Sequence, residues 1–244
     1  MTADPFEHHP ELRDKIADPL RSFFRGFRPS DFDERMAAMG VPPHWRLSDE
    51  EREATRIEAL AGLRGDDLWV FAYGSLMWDP AFVFEEVRRA HVDGYARLFC
   101  LKDELGGRGS REAPGLVAAL DEGTGCTGLA FRIARGRMDA ETEILWRREM
   151  IAGAYVPAIV DASTAEGGIK AVTFVANHAA KRIRNDLSRA EQVRYIATGR
   201  GILGSSLDYI ANLAAHLRTL EIDDPEVFSL LDEAKRYNAV RAGS

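Results

Sequence analysis

The chain has 244 residues, 45% hydrophobic and 29% charged, with 32 Lys and Arg against 39 Asp and Glu for a net charge of −7. That ordinary globular balance excludes a disordered, collagen-like or disulfide-dense chain, and the acidic surplus leaves no excess cation for neutralising nucleic-acid phosphates. No apolar run approaches the ~18 residues of a bilayer span, the first residues lack the apolar stretch of a signal peptide, and two cysteines suit a reducing compartment. A soluble, cytoplasmic protein without membrane or nucleic-acid partners is therefore expected.

Residues 1–66 show short helical patterns and no strand run. Ser30, followed by Asp33 and Glu34, opens a short helix that Gly40 ends, and the pair Pro42 and Pro43 breaks the chain. Ser48 with Glu51 is a capping-box pair opening a helix through about Leu63, with Gly65 as its stop. The region reads as a helical N-terminal extension lying against the main domain (67–240) through Trp45, Ile57 and Leu60. From Leu68 the texture changes. Strands are predicted at 68–72, 91–100, 116–120, 126–133, 155–161 and 169–176, with a helix at about 138–151 between them. After Asn177 the pattern is helical: Ser188 with Glu191 caps one helix, and Leu207, Ile210, Leu213, Ala214 and Leu217 stripe a second. Asp224 and Pro225 open a third, running through about Tyr237. Strands, one embedded helix, then helices make an α+β arrangement with a mixed or barrel-like sheet.

Two stretches match the glycine fingerprint of dinucleotide sites without its context. Gly123, Gly125 and Gly128 run into another strand where the fingerprint needs a helix, so a hairpin turn is the better reading. Gly199, Gly201 and Gly204 open a helix but follow a helix, which leaves only a helix N-terminus open to an anion. The six histidines form no metal-ligand pattern, so no metal is expected. Ser75 lacks a nucleophile elbow and reads as a turn former.

Two places carry unusual chemistry. Strand residues Val70, Phe71 and Ala72 lead through Tyr73 into Gly74, Ser75 and Leu76, where a turn can leave consecutive N–H groups pointing outward as an oxyanion cradle. The alternative is a tight turn whose aromatics fill the core. In the predicted helix, Glu149 lies above Leu145 at i−4 and Trp146 at i−3, a face on which burial raises a carboxyl's pKa towards that of a proton shuttle. The alternative is that Glu149 pairs with an arginine at the helix edge. Arg147 sits four residues after Glu143 and can form an exposed pair.

Together the segments 69–78 and 145–150 resemble the ChaC-type, glutathione-specific γ-glutamylcyclotransferases. The resemblance extends over roughly 68–235 and includes Gly107, Arg108 and Gly109, the pair Pro114 and Gly115, and the stretch 203–209. It implies a γ-glutamylcyclotransferase-like α+β barrel with surrounding helices, a substrate-binding segment of Val70, Phe71, Ala72, Tyr73, Gly74, Ser75 and Leu76, Glu149 as the catalytic glutamate, and Tyr209 near the substrate. Ala72 stands where members commonly have Gly, and Ser205 and Ser206 where they have an Asn.

The implied reaction is ring closure. The α-amine of a γ-glutamyl group attacks its own γ-carbonyl, releasing 5-oxoproline and, from glutathione, Cys-Gly. Nucleophile and electrophile share one molecule, so neither an enzyme nucleophile nor a cofactor or metal is required. One carboxylate of raised pKa can take the ammonium proton and return a proton to the leaving nitrogen, a role that falls on Glu149. Donors around Gly74, Ser75 and Leu76 can meet the charge on the γ-oxygen. Arg108, Arg111, Arg184 and Arg200 are candidates for a glycyl carboxylate. The alternatives are another γ-glutamyl peptide or amine as substrate, a non-catalytic glutathione-binding protein, and a serine amidase using Ser75.

Overall fold

A computed structural model describes residues 4–63 and 65–243. Helices α1 (Phe23–Gly26), α2 (Asp33–Ala38) and α3 (Asp49–Leu60) precede β1 (Leu68–Ala72), β2 (Glu86–Val92), β3 (Tyr95–Asp103), β4 (Gly115–Glu122) and β5 (Cys126–Ile133). Helix α4 (Met138–Glu149), β6 (Tyr155–Thr164) and β7 (Gly167–Ala176) follow. Then come α5 (Arg189–Thr198), the short strands β8 (Arg200–Gly201) and β9 (Gly204–Ser205), α6 (Ser206–Thr219) and α7 (Pro225–Ala242). The chain divides into two compact units, 1–96 with 122–177 and 97–121 with 178–244.

The first unit is built on a mixed barrel. β5 lies between β1 and β2, β6 between β2 and β7, and β7 returns to β1 as a parallel neighbour, so five strands close on one another. This is the α+β barrel expected from the sequence. β1 is an unbroken apolar run because closure buries it: Val70, Phe71 and Ala72 have no exposed surface. Gly128 on β5 matters for the same reason. A Cβ there would run into the carbonyl oxygen of Ala72, a backbone atom unable to yield. Gly128→Ala is accordingly expected to cost about 2 kcal/mol, read as a lower denaturation midpoint; an unchanged midpoint would show that the two strands can separate.

Several boundaries differ from the sequence reading. The strand expected over 91–100 is two strands, because Gly94 turns the chain with φ +77°. The helix expected from Ser30 starts at Asp33, with Ser30 in a preceding 3-10 turn and no side-chain cap. Ser48 and Glu51 do form the reciprocal capping box of α3, but that helix ends at Leu60, before Gly65. Leu60 is buried as expected, whereas Ile57 is 48% exposed. Beside Leu60, α3 reaches α4 through polar side chains: buried Arg56 donates to Thr142 Oγ1 (2.9 Å) and Thr55 Oγ1 accepts from the Trp146 indole (3.2 Å).

The second unit carries β3 and β4 side by side, with α5, α6 and α7. Its glycines serve close backbone approach: a Cβ on Gly201 would strike the Gly107 carbonyl, and one on Gly199 would strike Gly115. The N-terminus of α6, expected to be open to an anion, is closed by its own capping box, in which Ser205 Oγ accepts from Asp208 N–H and the Asp208 carboxylate accepts from Ser205 N–H. Cys100 is buried and its thiol is pushed up to about 12 by that burial, with the charge of Asp121 adding to the rise.

Candidate active site

β1 carries the chain to Tyr73, whose hydroxyl donates to the Phe174 carbonyl on β7 (2.7 Å) and fixes the strand's exit. At Gly74 (φ −130°, ψ −133°) the chain folds into a single 3-10 turn over Ser75–Met77. Its first internal bond runs from Met77 N–H to Gly74 O (2.9 Å), so the amides of Gly74, Ser75 and Leu76 precede it and have no acceptor within the turn. Leu76 and Met77 are buried, so the large residues after the turn do fill core, as the alternative reading held. The turn is a core element whose first three amides take no acceptor within it.

Helix α4 is held from two sides. Trp146, 1% exposed, packs edge-on against Phe174 of β7 with ring centroids 5.1 Å apart. From α3, Thr55 Oγ1 accepts from the Trp146 indole N–H (3.2 Å) and Arg56 donates to Thr142 Oγ1 (2.9 Å). The last residue of this anchored helix is Glu149, on the face of Leu145 and Trp146 as the spacing predicts. Its side chain is only 14% exposed. Burial pushes its carboxyl above the ordinary glutamate range; the adjacent Arg148 guanidinium pulls it back, and the charge of Asp79 adds to the rise. A carboxylate at a helix C-terminus also meets the negative end of the helix dipole.

Arg148 joins the two oddities of the sequence. Its side chain is 3% exposed, and every edge of the guanidinium is used. Nη2 donates to Ser75 Oγ (2.8 Å), Nη1 donates to the Asp79 carbonyl, and Nε lies 3.0 Å from Glu149 Oε1. Asp79 Oδ1 lies 3.8 Å from Nη1, and is buried without a hydrogen-bond partner. One cation thus stands between two carboxylates while gripping the turn. The two readings of Glu149, burial against Leu and Trp and pairing with an arginine, hold together. Sequence reasoning missed Arg148 and Asp79. The available signals were the charge next to Glu149 and an acidic residue just after an apolar turn. Arg147 does pair with Glu143 (3.2 Å), but the pair is exposed only on the glutamate side.

Val70, Phe71 and Ala72 are enclosed in β1 and offer no side-chain surface. Tyr209 lies in the second unit, buried on α6, edge-on to Phe99 (6.2 Å) and beneath the Arg108 guanidinium (5.9 Å). A cavity of about 530 Å³ in the first unit contains none of these residues; it is lined by His8, His9, His91, Thr127, Ser163 and Glu166 among others, and its imidazoles are engaged by neighbouring carboxylates and hydroxyls.

Residues 68–237 match the family model described as ChaC-like protein. The chain is 32% identical over 205 residues to a glutathione-specific gamma-glutamylcyclotransferase of Escherichia coli (strain K12), spanning 83% of this chain and 88% of the relative. It is 32% identical over 170 residues to glutathione-specific gamma-glutamylcyclotransferase 1 of Danio rerio, spanning 67% and 86%. In fold it is similar to the crystal structure of a yeast gamma-glutamyl cyclotransferase specific to glutathione, with a TM-score of 0.66 at 19% identity over 71% of this chain and 97% of that one.

Proposed function

The chain belongs to the ChaC-like protein family, and from that premise we propose that it is a γ-glutamylcyclotransferase that cleaves glutathione to 5-oxoproline and Cys-Gly, with Glu149 as its proton shuttle. The observation that carries the mechanism is the Arg148 guanidinium, which ties a sheltered carboxylate to the N–H-bearing turn.

The γ-glutamyl group lies along the turn, held by Tyr73, Gly74, Ser75 and Leu76 and by the backbone of Val70, Phe71 and Ala72; catalysis belongs to 67–240. Glu149, kept basic by its burial, takes a proton from the α-ammonium. The freed amine closes on the γ-carbonyl, whose oxygen gains charge that the amides of Gly74, Ser75 and Leu76 receive; each such donor is typically worth about 3 kcal/mol. Glu149 then returns the proton to the departing nitrogen as the C–N bond to Cys-Gly breaks, and the ring nitrogen gives up its second proton, leaving 5-oxoproline and Cys-Gly with its amino group protonated. Ser75 is an unsuitable nucleophile because its hydroxyl faces a guanidinium, which cannot accept its proton. We assign the enzyme to the cytoplasm, since its substrate is a reduced thiol and its two cysteines are not joined in a disulfide.

Incubating the purified protein with reduced glutathione and identifying products by mass spectrometry tests the reading. 5-Oxoproline with Cys-Gly is expected. Free glutamate would mean hydrolysis, binding without turnover would mean a glutathione sensor, and faster turnover of γ-glutamyl-alanine would move the substrate elsewhere in the γ-glutamyl class. A finer expectation concerns Asp79. Its charge offsets the pull of Arg148 on Glu149, so Asp79→Asn is expected to move the acid limb of kcat/KM to lower pH and to lower the plateau, as a weaker base does. An unmoved limb would remove Asp79 from the proton chemistry.

A further inference from the structure

We propose that Phe24, in the segment that precedes the matched family region, is a positioning residue of the active site, holding the plane of the Arg148 guanidinium so that Glu149 and the turn keep their alignment. This rests on Glu149 being the shuttle.

A guanidinium is planar, and its in-plane donors fix it only along its edges. Those of Arg148 go to Ser75, the Asp79 carbonyl and Glu149. Tilting is resisted only by what lies on the faces, and the ring of Phe24 lies over one of them, 4.2 Å from the central carbon. The contact is a cation–π interaction at a largely dehydrated cation, where such interactions are strongest.

Phe24 is itself held in place. Ser22 Oγ accepts from Phe24 N–H (3.2 Å) at the start of α1, and the ring packs edge-on against Phe23 (5.4 Å) and Phe27 (5.8 Å). Its neighbour Arg25 donates to the Ala81 carbonyl (3.2 Å) and makes a two-pronged pair with Glu141 of α4, which also accepts from Val83 N–H (2.8 Å). Arg147 returns a bond to the Arg25 carbonyl (3.1 Å), and Ala17 N–H donates to the Trp78 carbonyl (2.8 Å). One short segment therefore clamps both elements that Arg148 connects: the residues just after the turn and the helix bearing Glu149. Ala81 adopts φ +64°, a conformation costly for a residue with a Cβ, and the carbonyl it presents is the one Arg25 takes.

The test compares Phe24→Trp, Phe24→Leu and Phe24→Ala for kcat, KM, thermal midpoint and the pH dependence of kcat/KM. The charged groups facing Glu149 are Arg148 from its own helix and Asp79 from the loop. Releasing Arg148 weakens the only one that favours the anion, so the acid limb moves to higher pH. Phe24→Trp is expected to keep wild-type rates and limb. Phe24→Leu, which keeps apolar bulk but no π face, is expected to lose roughly tenfold in kcat with the limb moved up and the midpoint nearly unchanged. Phe24→Ala is expected to lose at least as much. Wild-type kcat and limb in Phe24→Leu overturn the proposal, even if the alanine variant fails to fold. If Glu149→Gln turns glutathione over normally, the shuttle itself is wrong; an inactive Glu149→Gln with wild-type-like Phe24 variants removes only Phe24.

Discussion

Glu149→Gln is expected to fold, to bind glutathione and to release 5-oxoproline at least about 10³-fold more slowly than the wild type, measured by product formation under saturating substrate. The amide keeps the shape and burial of the side chain but can neither take the ammonium proton nor return it, so both transfers fail together. Stability should move the other way. Folding raises the carboxyl's pKa above its ordinary 4.5, so between the two values the folded state holds a proton that the unfolded chain has released. Stability contributed by that proton is full below about 4.5, falls as pH rises towards the folded pKa, and is gone above it. Above the folded pKa the wild type bears a buried charge that the amide lacks, and there Glu149→Gln should melt no lower. Lost activity accompanied by a large drop in melting temperature would point to a structural role.

Arg148→Ala is the second large effect, and it falls on both stability and rate. Removing a guanidinium that is 3% exposed leaves the Asp79 carbonyl, Ser75 Oγ and the Glu149 carboxylate without their common donor, and the Asp79 carboxylate without its neighbouring cation. Breaking a buried charged network from one side typically costs about 3–5 kcal/mol. Rate should fall more than ~10²-fold, because misalignment of a catalytic group by as little as 1 Å carries that cost. Arg148→Lys separates the two effects. Lysine keeps the charge but not the fork, so it can face Glu149 or Ser75 but not hold both with one planar group. A stable, slow lysine variant is expected. A lysine variant with wild-type kcat would mean that charge alone is needed at position 148.

How much of this was legible in the sequence depends on distance along the chain. β1 is legible to the residue because closure of the barrel buries it and leaves an uninterrupted apolar run, and β5 because polar Thr127 and Arg132 take only its two partly exposed positions. The first half of β2 is illegible because adjacent Arg88 and Arg89 break the alternation of a half-exposed strand, and its separation from β3 depends on Gly94, whose φ of +77° turns the chain. Glu149 was visible from helical spacing alone, a relation among residues three and four apart. Arg148 was not, because its role depends on where its guanidinium ends, and that is set by Ser75 and Asp79, some seventy residues earlier. Phe24 is less visible still: one of three clustered phenylalanines at a short helix gives no sign that its ring will cover a cation 124 positions away. Ile57 is illegible for a related reason: hydropathy assigns the docking face of α3 to aliphatic residues, whereas Arg56 and Thr55 bond to Thr142 and Trp146 and Ile57 stays 48% exposed.

The most direct measurement is the pH dependence of kcat/KM for 5-oxoproline release from glutathione. Activity is expected to fall on the acid side with a midpoint above the ordinary glutamate range, as a sheltered Glu149 becomes protonated before it can accept the ammonium proton, and Glu149→Gln should retain almost none of that activity. An acid midpoint within or below the ordinary glutamate range, or the same limb at wild-type rate in Glu149→Gln, would contradict a shuttle built on this carboxylate.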